Sequence, residues 1–414
     1  MTISVRHPDV HVNPDLFANF IAAVHNRNPV QGFTHNFYQY PARFSPLFAR
    51  TAIVAFTEPG HVVLDPFMGG GTTLVEARAL GREGIGTDIS SLATFVSHVK
   101  TTPLSSDDIA SIRSWGAQLN DKLNLRNSPK RALAWIEQGY QHNISGRRTW
   151  PIRKTLELAL AEINDLPTLT QQRLARCVLL RTAQWALDSR RQIPSAKDFR
   201  QRSAINFEEM LEGAAEYTAA VNSAEPPAPP VICLHRSVIG LEQDPQLQDR
   251  PAPKLILTSP PYPGVHILYH RWQVQGRRET AAPFWIADSM DGHGAAHYTF
   301  GDREQQNLQG YYAMLLDAYA SIASIANCDT LVVQLVAFSD PSWQLPRYLE
   351  VMEEAGLAEA PFRACASSTD GRLWRSVPNR KWYADQRGST TSSKEVVLFH
   401  QLRTSRVSAS NNRV

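Results

Sequence analysis

Apolar and polar positions in the first part of the chain alternate between helical periodicity and short apolar runs. Phe17 to Val24 has the spacing of a short helix, and a second helix is predicted from Pro46 to about Phe56. Ser45 is expected to cap this second helix, because a proline at the first helical position lacks only an N–H that has no partner there. The apolar run from His61 to Leu64, which ends in Asp-Pro-Phe, predicts a buried strand.

Three consecutive glycines follow this strand. Gly69 to Gly71 lead into a predicted helix over Thr72 to Leu80, which Gly81 ends, and Glu83 to Ile89 is a second predicted strand. The order of strand, glycine turn, helix and strand is typical of the first unit of a doubly wound parallel sheet. We therefore expect an α/β fold with a Rossmann-like sheet.

Helical periodicity dominates residues 104 to about 222, for instance over Ile152 to Ile163 and Leu174 to Leu187. A proline-rich linker from Ala224 to Pro230 closes this stretch. The sheet is expected to resume with four strands, Val231 to Leu234, Lys254 to Leu257, Thr330 to Ala337 and Glu395 to His400. The chain thus divides into a first part of the sheet domain (36–103), a mainly helical insertion (104–230), a second part of the sheet domain (231–402) and a tail (403–414) that is predicted to be disordered.

The composition limits the class of protein. With 414 residues, of which 43% are hydrophobic and 20% charged, the chain can bury a sizeable core. The four cysteines stand far apart, so neither a disulfide framework nor a metal site is predicted. No run reaches the roughly 18 apolar residues of a membrane span, and the start of the chain lacks a signal-peptide core, so a cytoplasmic protein is expected. The net charge of +3 does not decide whether nucleic acid is a partner.

The glycine turn and two nearby carboxylates predict a site for an adenosyl cofactor. Glycine permits positive φ and close approach of a ligand, and the next helix offers free N–H groups at its N-terminus. Asp88, at the end of the second strand, is placed to accept hydrogen bonds from both hydroxyls of a ribose. Asp65, beside the turn, would repel a pyrophosphate but can pair with the ammonium group of a methionyl chain. A methionine-bearing cofactor is therefore favoured over a dinucleotide, which would also want GxGxxG where this chain has MGGGTT.

A second site is predicted at Thr258-Ser259-Pro260-Pro261-Tyr262, which follows the strand over Lys254 to Leu257. Two prolines stiffen this loop and leave it to present carbonyl groups. An exocyclic amine on a nucleic-acid base is a poor nucleophile, and hydrogen bonds to the Ser259 hydroxyl and the Pro260 carbonyl would expose its lone pair to a methyl group. Tyr262 offers a ring face on which a base could stack. Because the amine lies inside the stack of a duplex, the base would have to be flipped out.

Together these two segments resemble motifs of a known family. Residues 65–73 resemble motif I (DPFxGxGTT), and residues 259–262 resemble motif IV (SPPY), of the prokaryotic amino-methylating DNA methyltransferases; residues 40–46 are similar to motif X. The resemblance implies a Rossmann-like methyltransferase sheet and S-adenosylmethionine as the cofactor. It also implies that SPPY accompanies methylation of cytosine N4 more often than of adenine N6. One departure is that Leu234-His235-Arg236-Ser237 lacks the acidic residue that the family commonly has near the cofactor's adenine.

The resemblance assigns residues to a catalytic loop and a cofactor site, and the pattern of cations and aromatic residues suggests contacts to DNA. The catalytic loop is Ser259, Pro260, Pro261 and Tyr262, and the cofactor site comprises Phe44, Ser45, Asp65, Pro66, Phe67, Gly69, Gly71, Thr72, Thr73 and Asp88. Candidate contacts to DNA lie after motif IV, where cations mix with aromatic side chains, and are Arg277, Arg278, Arg375, Arg380 and Lys381. The helical insertion, with Arg147, Arg148, Arg153, Arg190 and Arg191, is an equally suitable DNA reader, because its place between motifs I and IV resembles that of a target-recognition region.

The expected function is therefore site-specific transfer of a methyl group to a base in DNA, with a cognate restriction endonuclease as a further partner. The alternatives left open are methylation of adenine N6, an RNA methyltransferase with the same chemistry, and a catalytically silent DNA-binding protein of the same fold.

Overall fold

The computed structural model describes residues 12–40, 43–127, 138–263, 272–276, 278–290, 300, 306–360, 370–376 and 394–403. Its helices are α1 Pro14–Val24, α2 Pro46–Phe56, α3 Thr72–Ala79, α4 Ser91–Lys100, α5 Ser106–Lys122, α6 Trp150–Glu162, α7 Leu169–Leu187, α8 Ala196–Asn222, α9 Ala282–Ala287, α10 Gln309–Ile325 and α11 Pro341–Glu354. Its strands are β1 Val62–Asp65, β2 Glu83–Asp88, β3 Ile232–His235, β4 Leu255–Thr258, β5 Trp272–Val274, β6 Arg278–Thr280, β7 Leu331–Ala337, β8 Leu357–Glu359, β9 Leu373–Ser376 and β10 Lys394–Leu402.

Within these residues, eight strands form one sheet in the order β3-β2-β1-β4-β7-β10-β8, with β9 paired to β10. The strands from β3 to β7 run parallel, and β10 enters antiparallel between β7 and β8. The strand order reverses between β1 and β4, which is where open α/β sheets bind ligands outside the carboxyl ends of their strands. The predicted fold class, a Rossmann-like sheet, is confirmed, and the predicted strands lie within a few residues of the observed ones.

Helices cover both faces of this sheet. Alternate residues of the central strands point to opposite faces, so that Leu64 and Ile256 join the core under α10 and α11, whereas Val63 and Leu257 join the core under α1 and α2. Strands buried on both faces read as continuous apolar runs, which is how the sequence revealed them.

The predicted helices of the insertion are present as α5 to α8, and they share a core with the rest of the protein. Their apolar faces pack with Leu92 and Val96 of α4 and with Trp272 and Phe284, which follow the catalytic loop. Ser91 of α4 also donates a hydrogen bond from its hydroxyl to the Ser289 carbonyl over 2.6 Å. The described residues that follow the SPPY loop, from 272 to 290, therefore pack in the insertion's core rather than in the large sheet.

One detail differs from the sequence expectations, and one prediction falls outside the described residues. Ser45 precedes α2, as predicted, but its side chain makes no capping hydrogen bond. The predicted disordered tail after Leu402 lies outside the described residues, apart from Arg403. Within the described part of the chain, no helix is long and apolar enough to cross a membrane.

Candidate active site

The sheet brings the two predicted sites to one edge. In the register of the strands, Leu64 of β1 lies opposite Ile256 of β4, and Asp65 lies opposite Gly86 of β2. Asp65, Asp88 and Ser259 therefore all stand at the carboxyl ends of neighbouring parallel strands. The glycine turn and the SPPY loop are adjacent parts of one site.

Asp65 joins these two parts. One carboxylate oxygen, Oδ2, accepts a hydrogen bond from the Thr73 hydroxyl of α3 over 2.7 Å. The other, Oδ1, accepts from the Thr258 hydroxyl at the end of β4 over 2.7 Å and from the Phe67 N–H over 3.2 Å. These bonds use three of the roughly four acceptor directions of a carboxylate, so that one, on Oδ2, is left for a ligand. Asp65 is only 2% exposed, and burial raises the pKa of its carboxyl group to about 6 against the opposing effect of these hydrogen bonds.

Glycine is required in the turn for reasons of space and of backbone conformation. Gly71 has a φ of 71°, and a Cβ added there would lie 2.7 Å from the Ser97 hydroxyl and 3.1 Å from the Ser97 Cα. A Cβ on Gly70 would lie 2.8 Å from the Cβ of Tyr40. The turn is thus pressed between α4 and the segment before α2, and a side chain larger than glycine has no room there.

Two side chains of α4 that the sequence analysis did not identify hold the turn from behind. Ser97 donates from its hydroxyl to the Gly69 carbonyl over 3.0 Å, and the Lys100 ammonium donates to the Gly70 carbonyl over 2.9 Å. Lys100 is fully buried, and desolvation lowers the pKa of its amine to about 7. Their spacing of three residues on one helix face was the only signal in the sequence.

Asp88 ends β2 next to the turn. Its Oδ2 accepts from the Gly69 N–H over 3.0 Å, and its Oδ1 accepts from the Ser90 N–H over 2.8 Å. Burial raises the pKa of this carboxyl group to about 6, and the two N–H donors oppose that rise. Gly71 caps α3 without any side-chain hydrogen bond, so the start of this helix adjoins the same space.

The other residues assigned to the cofactor site lie at the start of α3 and directly after β1. Thr72 and Thr73 begin α3, and the Pro66 carbonyl accepts from the Thr87 hydroxyl over 3.1 Å. Phe67 packs edge-on against Phe300 with ring centroids 5.6 Å apart.

Phe44, which the sequence analysis assigned to the cofactor site, is a core residue. It is buried in the core below α2, 5.4 Å from the ring of Phe48. The motif X segment thus presents the backbone and Ser45, with Phe44 as an anchor.

The SPPY loop is held by hydroxyl groups. The Ser259 hydroxyl lies 3.0 Å from the Leu335 carbonyl of β7 and 2.8 Å from the Tyr262 hydroxyl. Tyr311 of α10 donates to the Pro261 carbonyl over 2.7 Å, whereas no hydrogen bond within the described residues ends on the Pro260 carbonyl. The Ser259 hydroxyl oxygen and the Pro260 carbonyl thus keep free acceptor capacity among the described residues.

Tyr262 does not offer the stacking face that the sequence suggested. Its ring is only 6% exposed and lies in the core with residues of α10 and α11. The reason is its hydroxyl, which donates to Glu395 of β10 over 2.9 Å and so draws the side chain inward.

Of the predicted DNA contacts, one is a buried ion-paired side chain, one is exposed, and three lie outside the described residues. Arg375 is not a surface cation: its side chain is 11% exposed and forms an ion pair with Glu395 at 2.6 Å. Arg278 is exposed at the start of β6. The other predicted contacts, Arg277, Arg380 and Lys381, lie outside the described residues. Among the described side chains, no cluster of His, Cys, Asp or Glu has the make-up of a metal site.

This geometry defines a class of protein: a Rossmann-like sheet whose carboxyl edge combines a glycine turn, an acidic strand end and an SPPY loop. Residues 15–94 match a family model described as DNA methylase, of the N6 and N4 type. Over this segment the chain is similar to the amino-methylating DNA methyltransferases, which supports the resemblance stated from motifs X and I.

Individual relatives are similar over the same limited length. The type II methyltransferase M.MvaI of Kocuria varians is 42% identical over 74 residues, which are 17% of this chain and 16% of that protein. The type II methyltransferase M.MjaII of Methanocaldococcus jannaschii is 35% identical over 66 residues, 16% of this chain and 12% of that protein. The chain therefore spans less than a fifth of the length of these relatives.

A solved structure, the rRNA methyltransferase aviRa of Streptomyces viridochromogenes, is similar at 9% identity and covers 92% of each chain. The TM-score of this comparison is 0.29.

Replacement of Gly71 by Ala should destabilise the protein by more than backbone strain alone. Gly139 provides the control, because its φ of 81° is also left-handed and nothing lies within 4 Å of an added Cβ. Gly139→Ala should cost about 1 kcal/mol, and Gly71→Ala at least about 1 to 3 kcal/mol more through the contact with Ser97. Urea unfolding measures both free energies. Equal losses would show that α4 yields to the new methyl group.

Proposed function

We propose that the protein is an S-adenosylmethionine-dependent DNA methyltransferase that acts on the exocyclic amine of a flipped base. The observation that carries this proposal is the Asp65 carboxylate, which binds the glycine turn through Thr73 and the SPPY loop through Thr258. A donor site and an amine site fixed to one rigid group are suited to aligning two reactants.

The residues at the glycine turn fit an adenosylmethionine molecule. The backbone at Gly69 to Gly71 cannot accept side chains and lies beside the uncapped start of α3, where N–H groups favour a carboxylate. Asp88 stands two residues beyond the strand position opposite Asp65, where it suits a pair of ribose hydroxyls. The bound cofactor would supply an electrophilic methyl group on its sulfonium.

The SPPY loop fits an amino group. A base NH₂ has two N–H donors, and this loop offers two acceptors, the Ser259 hydroxyl oxygen and the Pro260 carbonyl, while the Tyr311 hydroxyl already occupies the Pro261 carbonyl. Serine at position 259 favours cytosine N4 as the target, and adenine N6 is the first alternative. An RNA substrate and a catalytically silent DNA-binding protein are the further alternatives.

A basic surface formed by three separate segments is the proposed contact to DNA. The Gln275 N–H donates to the Arg190 carbonyl over 3.1 Å, and the Ser189 N–H donates to the Gln273 carbonyl over 2.8 Å, so the end of α7 runs beside the β5–β6 hairpin. Asn143 also donates from its side chain to the Glu279 carbonyl of β6 over 2.7 Å. These contacts gather the half-buried Arg190 and four exposed arginines, Arg147, Arg148, Arg191 and Arg278.

None of these five arginines forms an ion pair with another described residue, whereas Arg153, which lies on α6 of the insertion, pairs with Glu157 at 3.0 Å. Arg190 lies over the Trp185 ring, 4.6 Å from its centroid. Unpaired guanidinium groups beside an aromatic ring suit phosphates and bases. The insertion and the segment after the SPPY loop would then read DNA together. Two relatives are named type II methyltransferases and a third is named an orphan methyltransferase. A restriction-modification setting, with a cognate endonuclease as partner, is part of this proposal.

The labelled base identifies the reaction. Purified protein incubated with labelled S-adenosylmethionine and unmethylated DNA should yield labelled N4-methylcytosine, as measured by mass spectrometry of the nucleosides. Ser259→Ala should slow transfer by about 100-fold or more while cofactor affinity is retained. Labelled N6-methyladenine would show that the target base is adenine rather than cytosine, and label in RNA alone would show that the substrate is RNA rather than DNA. Bound cofactor without transfer to either would favour the silent DNA-binding protein.

Cofactor affinity should fall as the pH drops through about 6, where Asp88 becomes protonated. The ionised carboxylate accepts two ribose hydroxyls, and with a pKa of about 6 only about a tenth of it is ionised at pH 5. Calorimetry should therefore give an affinity about tenfold lower at pH 5 than at pH 8. Asp88→Asn should bind weakly with a flatter pH dependence. The same slope in this variant would assign the effect to another group, with Asp65 the first candidate.

The basic surface should control the salt dependence of DNA binding. Replacing Arg191 or Arg278 by Gln should weaken binding to DNA of any sequence and lower the slope of log K against log salt by about 1 for each phosphate that is no longer neutralised. Arg113→Gln is the matched control, because Arg113 is an exposed arginine of the insertion that pairs with Glu208. Equal slopes for all three variants would remove this surface from the interface.

A further inference from the structure

A row of polar side chains connects β9 to the catalytic loop. Arg375 contacts Oε2 of Glu395 with Nε at 2.8 Å and Nη2 at 2.6 Å. Oε1 of the same Glu395 accepts from the Tyr262 hydroxyl over 2.9 Å, and that hydroxyl lies 2.8 Å from the Ser259 hydroxyl. The row ends where Ser259 meets the Leu335 carbonyl over 3.0 Å.

The strands fix this row from both ends. Arg375 and Glu395 are directly opposed on β9 and β10, and their side chains are 11% and 5% exposed. The Arg375 guanidinium also lies 5.9 Å from the ring centroid of Phe48. A buried ion pair whose second carboxylate oxygen points to a loop is expensive to desolvate, and removing one partner would leave the other charge unpaired.

Counting the protons determines the direction of the hydrogen bonds. An ionised Glu395 only accepts, so the Tyr262 proton lies between these two side chains. Tyr262 then has no proton to give to Ser259. The single Ser259 proton lies toward the Tyr262 oxygen or the Leu335 carbonyl, and in either case the lone pairs of Ser259 stay available.

We propose that Arg375 and Glu395 are positioning residues that keep Ser259 a hydrogen-bond acceptor for the target amine. This inference rests on the proposed function for its role in catalysis, but the row of contacts does not. Because Glu395 of the ion pair accepts the hydrogen bond of the Tyr262 hydroxyl, Tyr262 does not donate to the Ser259 lone pair that the amine needs.

The substitution Glu395→Gln should reverse the direction of the hydrogen bonds in this row. Arg375 only donates, so it selects the amide oxygen and turns the amide NH₂ toward Tyr262. Tyr262 then donates its hydrogen bond to Ser259, occupies one of the two lone pairs of that oxygen and competes there with the target amine. Single-turnover methyl transfer should fall by about 10- to 100-fold, the range of one hydrogen bond made at a reacting group, with unchanged affinity for S-adenosylmethionine.

Removal of the Tyr262 hydroxyl supplies the decisive variant. Tyr262→Phe alone should lower the transfer rate severalfold, because the loop loses one support. Combined with Glu395→Gln, it should raise the rate back to the level of Tyr262→Phe alone, since no hydroxyl is left to block Ser259. A purely structural role for Glu395 predicts the opposite, namely that the double variant is worse than either single one.

A second ion pair separates this effect from the general loss of an arginine–glutamate pair. Arg372 and Glu359 form a two-bond pair near β8 and β9, at 2.7 Å and 2.8 Å, with side chains 22% and 26% exposed and without a contact to the SPPY loop among the described residues. Glu359→Gln should lower the thermal midpoint but leave the transfer rate at that of the wild type. A drop in rate with this variant as large as with Glu395→Gln would overturn the proposal.

The thermal midpoint tests the row without any reaction. Tyr262→Phe should lower the midpoint at least about twice as much in the wild type as in the Glu395→Gln background, because a bond to a charged group is about twice as strong as a neutral one. Equal effects would show that Glu395 and Tyr262 are not coupled and would overturn the proposal. If the wild type methylates neither DNA nor RNA, the proposed function fails, and this cycle alone decides whether the ion pair controls Tyr262.

Discussion

The site depends on one buried carboxylate that two strands and a helix share. Asp65 ends β1, and its oxygens bind the Thr73 hydroxyl on one side and the Thr258 hydroxyl on the other. Because these three residues belong to β1, α3 and β4, the glycine turn and the SPPY loop cannot shift relative to each other without breaking a buried hydrogen bond. Such a bond is costly to leave unmade, since the freed carboxylate would stay desolvated. The fold thus sets the relative position of the glycine turn and the SPPY loop before any ligand binds, and a transfer reaction needs such fixed geometry.

A second buried charge supports the site from behind. Lys100 donates to the Gly70 carbonyl, and burial lowers the pKa of its amine to about 7. A group whose pKa is lower in the folded than in the unfolded protein makes folding less favourable as the pH falls from about 10 to about 7. The carboxyl groups of Asp65 and Asp88 act in the opposite direction at lower pH, since their pKa values are raised to about 6. The burial of these ionisable groups around the glycine turn lowers the stability of the fold, and buried ionisable groups with shifted pKa values are common at functional sites.

The sequence alone predicted the sheet and the two motifs, and it failed where the outcome depended on partners distant in the chain. Strands buried on both faces leave apolar runs that can be read directly, and DPFMGGGTT and SPPY are contiguous. Arg375 looked like a DNA contact because its neighbours are basic, but its environment is decided by Glu395, which only the pairing of β9 with β10 places opposite it. Tyr262 likewise points inward because the same Glu395 accepts a hydrogen bond from its hydroxyl. Cross-strand partners of this kind have no local signal.

The two candidate DNA readers of the sequence analysis are parts of one body. Trp272 and Phe284, which follow the SPPY loop, lie in the same core as the insertion helices, and the Trp272 indole N–H donates to the Tyr38 hydroxyl over 3.0 Å. Tyr38 in turn packs edge-on against Tyr40, whose side chain closes over Gly70. A base delivered by the basic surface would therefore be held by the same packed unit that walls the glycine turn. Contact with phosphates at Arg190 and Arg278 would then fix the DNA relative to both reactants, which is what a reaction on a single flipped base requires.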